Sequence, residues 1–299
     1  MTFSHSHSWT LSSTPDKIFR ALTDPAELTQ WFSEHAQIEP RVGGVYRFWG
    51  RHTIGTPPHE DARQTISRFE PNSVLAFNWA INDVDTDVVI TLAQDAKGTV
   101  LTITHSISGD LAVPRQRELI DDHWRLAVGN LSSYLAGKPV VMPDYFDPAP
   151  EVRLTMPLDV PPSTVFRALI EPERINRWFG TKSSVVEPRV GGRYDLNWSS
   201  NIDGKDVTEG PTKILELVPD EKLVLDWPDW RGDKSVAGQT ITFLLAPDGK
   251  GGTTLTFVHA GFGRTTDVSD YGFGWPSFLE QLKTEAESGV VTPGDGNAR

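Results

Sequence analysis

The chain of 299 residues is 38% hydrophobic and 23% charged, which is typical of a globular protein with about two domains. Acidic side chains outnumber basic ones by 18 to 12 in residues 1–150 and by 22 to 16 in residues 151–299. Neither half has a block of basic residues, so the sequence argues against binding to nucleic acid or to an anionic membrane surface. The lack of cysteine excludes disulfides, thiol nucleophiles, iron–sulfur clusters and cysteine-based zinc sites.

The first half of the chain predicts a strand, two short helices, a set of further strands and a long closing helix. A strand is expected at Phe3–Leu11, and a helix that starts at Pro15 carries the sequence Phe-Arg-Ala-Leu. Asp24-Pro25 ends that helix, and a second short helix ends at Trp31-Phe32. Gly43-Gly44 predicts a turn into a strand. Four strands in an antiparallel meander then follow at about 61–69, 74–81, 86–94 and 99–107, and an amphipathic helix closes the copy at 116–136.

The same order recurs about 150 residues later. Residues 15–32 match 162–179, and the hexapeptide Glu-Pro-Arg-Val-Gly-Gly stands at both 39–44 and 187–192. Because this period is far too long for a solenoid unit, it indicates a duplicated whole domain. The expected counterparts are strands at 152–158, 207–217, 222–228, 236–246 and 252–260 and a closing helix at 269–287.

The composition also predicts the boundaries between the two copies. Residues 1–138 form the first predicted domain and residues 151–289 the second. Four prolines in residues 139–150 predict an extended, semi-rigid linker, and residues 290–299 a disordered tail. The N-terminus lacks the basic and apolar regions of a signal peptide, and no apolar run approaches about 18 residues. We therefore expect a cytoplasmic protein that does not enter membranes.

These motifs resemble the SRPBCC (START/Bet v 1-like) superfamily. The resemblance is carried by Pro-x-x-[Ile/Val]-Phe-x-Ala-Leu, Trp-Phe, Glu-Pro-Arg-Val-Gly-Gly, Pro-x-x-x-Leu-x-x-x-Trp and Gly-Thr-x-Leu-Thr-x-x-His, each present twice. More narrowly, both copies resemble the domain related to the C-terminal part of the activator of Hsp90 ATPase. The second copy has the Gly274-Trp275 step frequent in the closing helix, whereas the first has His123-Trp124.

The resemblance implies an α+β fold made of two tandem helix-grip domains. In each, a curved antiparallel sheet would wrap around a long C-terminal helix and enclose a hydrophobic cavity. Members of the superfamily include carriers of lipids and hydrophobic ligands, polyketide cyclases and co-chaperone domains. Because one fold hosts many activities, the resemblance alone does not choose among them.

Aromatic side chains give the strongest candidate site. The chain has ten tryptophans, and strand alternation places Leu75, Phe77 and Trp79 on one face. Two interpretations stay open, core filling and cavity lining, and a helix-grip fold accommodates both. The predicted ligand-contacting residues are Trp31, Phe48, Phe77, Trp79, His105 and Trp124 in the first copy and Trp178, Trp198, Trp227, His259 and Trp275 in the second.

His105 and His259 are the histidines that the repeat pairs, each at the end of a late strand. A neutral imidazole there would bond a ligand carbonyl, act as a general base, or serve as a structural residue bonded to the backbone. No spacing of serine, histidine and aspartate predicts a catalytic triad, so we assign no catalytic residue. No cofactor is expected.

Three weaker patterns have structural interpretations beside functional ones. His5-x-His7 would place two imidazoles on one strand face, but the sequence offers no further ligand, and we expect no metal. A stretch with His52, His59, Glu60 and Asp61 predicts a solvated loop. Arg41 and Arg189, beside Glu39 and Glu187, either fix a turn by ion pairing or meet a ligand carboxylate.

Three functions follow as hypotheses. The first is non-enzymatic binding of hydrophobic or aromatic small molecules in the two cavities. The second is a co-chaperone-like module of the stress response that contacts an Hsp90-type ATPase, which rests on the resemblance alone. The third is a cyclase-like or hydrolase-like enzyme that uses His105 or His259.

Overall fold

The computed structural model describes residues 3–55, 64–113, 115–202, 204–229, 238–268 and 271–288. The described residues up to Pro148, with those of Thr265–Asp270, form unit 1, and those of Ala149–Arg264 and from Tyr271 onward form unit 2. Each unit has a five-stranded antiparallel sheet and one long closing helix. The predicted fold class, two tandem α+β helix-grip domains, is confirmed.

Unit 1 builds its sheet from a four-strand meander and the first strand. Its elements are β1 (Phe3–Leu11), α1 (Pro15–Thr23), α2 (Pro25–Leu28), β2 (His35–Ile38), β3 (Tyr46–Trp49), β4 (Ile66–Glu70), β5 (Val74–Ile81), β6 (Val84–Asp95), β7 (Gly98–Ile107) and α3 (Gln116–Leu135). The strand order is β1-β7-β6-β5-β4, and β2 pairs with β3 in a separate two-stranded ribbon. A short 3-10 helix at Thr265–Val268 also belongs to this unit.

Unit 2 repeats this plan. Its elements are β8 (Val152–Leu158), α4 (Pro162–Ile170), α5 (Pro172–Trp178), β9 (Val185–Val186), β10 (Tyr194–Asp195), β11 (Trp198–Ile202), β12 (Lys205–Glu209), β13 (Ile214–Val218), β14 (Lys222–Trp227), β15 (Gln239–Pro247), β16 (Thr253–Ala260) and α6 (Tyr271–Ser288). The sheet order is β13-β14-β15-β16-β8, with β9–β10 and β11–β12 as two-stranded ribbons. None of the described helices is both long and apolar enough to cross a bilayer.

The largest differences from the predicted element boundaries concern two places. The strand expected at 207–217 is two strands, β12 and β13, and β12 pairs with β11 outside the main sheet. Gly210 adopts a φ of +84° and Pro211 has no N–H to donate, so a continuous ladder is interrupted there. In unit 1, α2 ends at Leu28 rather than at Trp31-Phe32, because residues 29–32 form turns. The predictions for residues 61–63, 236–237, 269–270 and 290–299 lie outside the described residues.

The side chains of the repeated Trp and Tyr bond to the end of the first helix in each unit. Trp31 Nε1 donates to the Ala21 carbonyl at 3.2 Å, and Tyr46 Oη donates to the Leu22 carbonyl at 2.8 Å. The second copy repeats both bonds, from Trp178 Nε1 to Ala168 at 2.9 Å and from Tyr194 Oη to Leu169 at 2.9 Å. Carbonyls in the last turn of a helix have no partner within the helix, so these aromatic residues complete the helix end.

The closing helix of unit 2 is also fixed by a buried ion pair. Glu285 on α6 is fully buried and accepts hydrogen bonds from Arg174 Nε at 2.9 Å and Arg177 Nη2 at 2.6 Å, both on α5. Because a buried carboxylate without a partner is strongly destabilising, the two guanidinium groups hold α5 and α6 together. Unit 1 has Tyr134 at the corresponding position of α3.

The identical hexapeptides form identical turns. In unit 1 the Glu39 N–H bonds to the Val45 carbonyl at 2.9 Å, and the Gly44 N–H bonds to the Arg41 carbonyl at 2.9 Å. Gly43 has a φ of +75°, which favours glycine. A Cβ at Gly44 would lie 2.2 Å from the Glu39 carbonyl oxygen. The two glycines are thus required for different reasons, backbone conformation and space.

We expect Gly44→Ala to destabilise unit 1 more than Gly43→Ala. At position 43 a Cβ meets no atom within 4 Å, so the cost is that of a left-handed residue, about 1–2 kcal/mol. At position 44 the Cβ collides with backbone, and the cost rises to about 3 kcal/mol or more. Urea denaturation of the two variants measures the difference. A larger loss for Gly43→Ala would show that space is not the constraint at this turn.

Candidate functional site

Five of the six predicted site residues in unit 1 form one buried cluster. Phe48, Phe77, Trp79, His105 and Trp124 are each 2% exposed or less. The rings of Trp79 and His105 stack at 5.4 Å, and Phe48 meets Trp79 edge-on at 5.2 Å. Trp124 contributes from the closing helix, with its ring 6.0 Å from that of Trp79. The cluster therefore spans the space between the sheet and α3.

His105 is held by hydrogen bonds on both ring nitrogens. Trp124 Nε1 donates to His105 Nδ1 at 3.1 Å. His105 Nε2 lies 2.8 Å from Thr86 Oγ1, which in turn donates to the Trp79 carbonyl at 2.7 Å. Because an indole N–H only donates, Nδ1 must be the acceptor and Nε2 must carry the proton of the neutral ring. Hydrogen bonds thus run in one direction from Trp124 through His105 and Thr86 to Trp79.

This arrangement fixes the protonation state of His105. Burial, and to a lesser extent the neighbouring His123 and His5, lowers the pKa of His105 to about 3. The ring is neutral at pH 7, and its one lone-pair nitrogen is already used by Trp124. No nitrogen of His105 is left to accept a substrate proton in this state. The side chains that hold it are an indole and a hydroxyl, rather than the backbone carbonyl considered from the sequence.

Unit 2 contains the same motif with a different acceptor. Trp275 Nε1 donates to His259 Nδ1 at 3.0 Å, and His259 Nε2 lies 3.0 Å from Gln239 Oε1. Burial lowers the pKa of His259 to about 3. The indole of Trp227 packs 5.2 Å from that of Trp275 and donates to Tyr271 Oη at 2.9 Å. Every polar ring atom of this cluster has a partner.

The other predicted residues of unit 2 gather around Phe179. The ring of Trp178, which is fully buried, lies 3.8 Å from Phe179, and the half-buried Trp198 lies 5.2 Å from it. Phe278, on the closing helix, is also half-buried and lies 5.3 Å from Phe179. A Cβ at Gly274, one turn earlier on that helix, would meet no atom of the described residues within 4 Å. Unit 2 therefore leaves aromatic rings partly exposed beside open space.

A small pocket lies in unit 1 under the closing helix. Its volume is about 10 Å³, about the room of one water molecule, far below the roughly 300 Å³ or more of a ligand site. The lining residues are Trp31, Phe32, His52, His123, Leu126, Ala127, Asn130, Pro143 and Tyr145. Among the predicted residues, Trp31 lines this pocket, whereas the His105 cluster lies behind it.

His123, which lines the pocket, is buried and incompletely hydrogen-bonded. Its Nδ1 lies 2.9 Å from Tyr145 Oη, and its Nε2 has no hydrogen-bond partner among the described residues. Trp79 Nε1, in a ring 5.2 Å from His123, also lacks a partner in the part of the chain that the structure describes. Burial, with a smaller contribution from His5, lowers the pKa of His123 to about 3. Two of the buried ring nitrogens of unit 1 that lack a partner among the described residues thus lie beside this pocket.

Residues 139–147, called the strap below, cover this side of unit 1. Asn130 on α3 bonds Val141 twice, from Nδ2 to the carbonyl at 3.0 Å and through Oδ1 to the N–H at 2.7 Å. His52 Nδ1 bonds the Pro143 carbonyl at 2.7 Å, and the Tyr145 N–H bonds the Arg51 carbonyl at 2.8 Å. The segment predicted as a spacer is docked along most of its length. The predicted domain boundaries themselves stay predictions.

The weaker sequence patterns occupy structural positions. His5 Nδ1 lies 2.5 Å from Asp121 Oδ1, and the described residues contain no group of three or more side chains arranged to hold a metal. Arg41 pairs with Glu39 at 2.6 Å and Arg189 pairs with Glu187 at 2.7 Å, all on the surface. Of the predicted loop residues, His59, Glu60 and Asp61 lie outside the described residues.

Sequence reasoning missed the partners that define the site. Thr86 and Gln239 stand opposite Trp79 and Trp227 in the strand register, but different residue types gave no repeat signal. Tyr145 lies in a segment interpreted as a linker. His123 was noticed as a departure from the Gly-Trp step, which was a usable signal.

Comparison with known proteins gives one family and several similar folds. The family model described as Activator of Hsp90 ATPase homolog 1-like protein matches residues 12–136 and again 159–287. No curated protein matches the chain. The solved structure of DynU16, from the dynemicin biosynthetic locus, is 21% identical, with a TM-score of 0.40, and the match covers 95% of this chain and 98% of that one.

Two further solved structures match about half of this chain. Protein MLL2253 from Mesorhizobium loti is 25% identical with a TM-score of 0.37, and the match covers 45% of this chain and 95% of that one. The Aha1 dimer from Colwellia psychrerythraea is 20% identical with a TM-score of 0.37, over 47% and 98% of the two chains.

Thr86→Val is expected to destabilise unit 1 by about 1–3 kcal/mol, since it removes the acceptor for the buried His105 Nε2–H without changing volume. Thr91→Val, on an exposed position of the same strand, is the matched control and should stay within about 0.5 kcal/mol of wild type. Urea denaturation measures both. Equal effects of the two substitutions would mean that the His105–Thr86 bond contributes nothing.

The free energy of unfolding should fall as the pH falls below about 6.5. His105, His123 and His259 have folded pKa values of about 3, whereas an unfolded histidine titrates near 6.5. Between these pH values the unfolded chain binds more protons than the folded one. Each buried histidine therefore lowers the free energy of unfolding by up to about 1.4 kcal/mol for every pH unit below 6.5, and above pH 6.5 it causes no further change. Urea denaturation at pH 7, 6 and 5 tests this. His259→Gln should flatten the dependence, and an unchanged slope would contradict the assignment.

Proposed function

Since the chain belongs, in both of its copies, to the family of Activator of Hsp90 ATPase homolog 1-like proteins, we propose that it binds hydrophobic or aromatic small molecules. In this proposal the ligand lies between the sheet and the closing helix of each unit, and no reaction is catalysed. The observation that carries this proposal is the half-buried aromatic group of unit 2. Trp198 and Phe278 remain partly exposed beside Gly274, where a side chain would have room. Ligand pockets are concave and mostly apolar, with few polar groups, and this composition fits.

The state of the two paired histidines supports binding rather than catalysis. A general base needs a free lone pair within reach of a substrate and a pKa near the working pH. His105 and His259 each give their lone pair to a tryptophan and have a pKa of about 3. They serve as positioning residues for the aromatic walls, and the enzyme hypothesis has no remaining base among the paired residues.

The partnership with an Hsp90-type chaperone stays a prediction. Its support is the family description, and no contact or surface of the described residues favours it further. A cytoplasmic location is likewise a prediction from the sequence. Small-molecule binding is the hypothesis for which the side chains themselves provide an argument.

Titration with the neutral dye N-phenyl-1-naphthylamine tests the proposed function. We expect saturable fluorescence enhancement with the full chain at micromolar dye. Gly274→Leu should fill the open space beside Phe278 and weaken dye binding in unit 2 by about tenfold or more, while the fold is kept because no atom blocks the new Cβ. Ser277→Leu, which adds the same side chain at an exposed position of the same helix, is the control. Absence of saturable binding to the wild-type chain would overturn the proposal.

A further inference from the structure

The two closing helices differ on one face, and the differences concern the candidate pocket. Aligned on Trp124 and Trp275, the first copy has Ile120, His123 and Ala127 where the second has Tyr271, Gly274 and Phe278. These three positions are spaced by three and four residues, so they share a helix face. The hydrogen bond from the tryptophan to the histidine is the same in both units. The two copies therefore share the tryptophan–histidine bond and differ on the neighbouring face of the closing helix.

Each difference changes what unit 1 can hold. Trp227 Nε1 donates to the Tyr271 hydroxyl, but Ile120 offers no hydroxyl to Trp79, whose Nε1 has no partner within the described ranges. His123 Nε2 is a further buried nitrogen that no described residue bonds. Ala127 lines the pocket of unit 1, and its small side chain leaves room at the position where unit 2 has a phenylalanine.

The side chain that occupies this side of unit 1 is a phenol. Tyr145 reaches in from the strap, lines the pocket, and places its hydroxyl 2.9 Å from His123 Nδ1 with the rings 6.0 Å apart. It packs against the core of unit 1, and burial raises the pKa of the phenol above its usual range, so the hydroxyl is uncharged. The neighbouring Phe146, in contrast, is 61% exposed.

Hydrogen bonds from several parts of unit 1 hold the strap. Asn130 bonds Val141, His52 bonds the Pro143 carbonyl, Arg51 accepts from the Tyr145 N–H, and Thr265 Oγ1 donates to the Asp144 carbonyl at 2.6 Å. All but the Asn130–Val141 pair involve a single hydrogen bond, each worth about 0.5–1.5 kcal/mol net. A ligand that forms the same contact with His123 can therefore compete with this segment.

We propose that unit 1 binds an uncharged hydroxyarene in place of the Tyr145 phenol, with the ligand hydroxyl on His123 and the strap displaced. This inference rests on the proposed function and adds the ligand class and the residue that selects it. Unit 2, with Gly274 and a fully bonded Trp227, has no such selectivity. The strap acts as an internal competitor, so ligand affinity depends on Tyr145 as well as on His123.

Equilibrium dialysis of the full chain with 2-naphthol and with naphthalene tests the inference, since the two probes differ by one hydroxyl. Wild type should bind 2-naphthol more tightly than naphthalene. His123→Phe keeps a ring but removes both nitrogens, so neither the ligand hydroxyl nor the competing Tyr145 hydroxyl is bonded. The preference for 2-naphthol should be lost, mainly because naphthalene affinity rises by up to about tenfold. His123→Gln, which retains an amide hydrogen-bonding group, should restore part of the preference.

Variants of the strap should act in the opposite direction. Tyr145→Ala removes the competing ring and should raise 2-naphthol affinity several-fold, and Tyr145→Phe, which keeps the packing, should raise it less. Phe146→Ala is the matched control on the same segment and should change nothing, since its side chain is exposed. Thermal melting confirms that each variant is folded.

The outcomes separate the inference from the function on which it rests. Equal affinities for 2-naphthol and naphthalene, insensitive to His123 and Tyr145, would overturn the inference while N-phenyl-1-naphthylamine binding keeps the proposed function. A loss of binding in Tyr145→Ala would show that the phenol is a wall of the site rather than a competitor, which also overturns the inference. Failure of all three probes to bind would overturn both.

Discussion

The hydrogen bond from a tryptophan of the closing helix to a histidine of a late strand is the interaction around which each unit is arranged. It joins Trp124 to His105 at 3.1 Å and Trp275 to His259 at 3.0 Å. Because leaving a buried donor unmatched costs about 1–3 kcal/mol, the bond fixes where α3 and α6 meet their sheets. It also decides the proton position on the imidazole, so the other ring nitrogen must donate, and the neighbouring strand must supply an acceptor.

That requirement is chemical and not specific to one residue type. Thr86 meets it in unit 1 and Gln239 in unit 2, both from the strand position opposite the tryptophan of the preceding strand. The Thr86 hydroxyl accepts one hydrogen bond and donates another to the Trp79 carbonyl, whereas an amide oxygen only accepts. The two units therefore share the bonded histidine but surround it differently, and the indole of the preceding strand is satisfied by a side chain only in unit 2 among the described residues.

The sequence predicted the elements that depend on hydrophobic periodicity and missed those that depend on pairing across the chain. The first strands, Phe3–Leu11 and Val152–Leu158, and the start of the helix at Gln116 were predicted at their observed positions. β3 is the strand expected after Gly43-Gly44, but its partner β2 was not predicted, because four residues are too few to show alternation. For the aromatic residues the sequence left core filling and cavity lining open. The acceptors of the histidines did not follow from the repeat, since a threonine and a glutamine share no pattern.

The strap shows what composition leaves open about a proline-rich segment. Proline restricts the backbone to extended conformations, and this describes residues 139–147 whether they cross solvent or lie on a surface. What decides between these is the Asn130 amide, which matches both backbone groups of Val141, and the space above Ala127 into which Tyr145 fits. Neither is visible as a repeat, because unit 2 has Gln281 and Phe278 at these positions. Since Trp124 and His105 already hold the helix to the sheet, this outer face could change after duplication without loss of the fold.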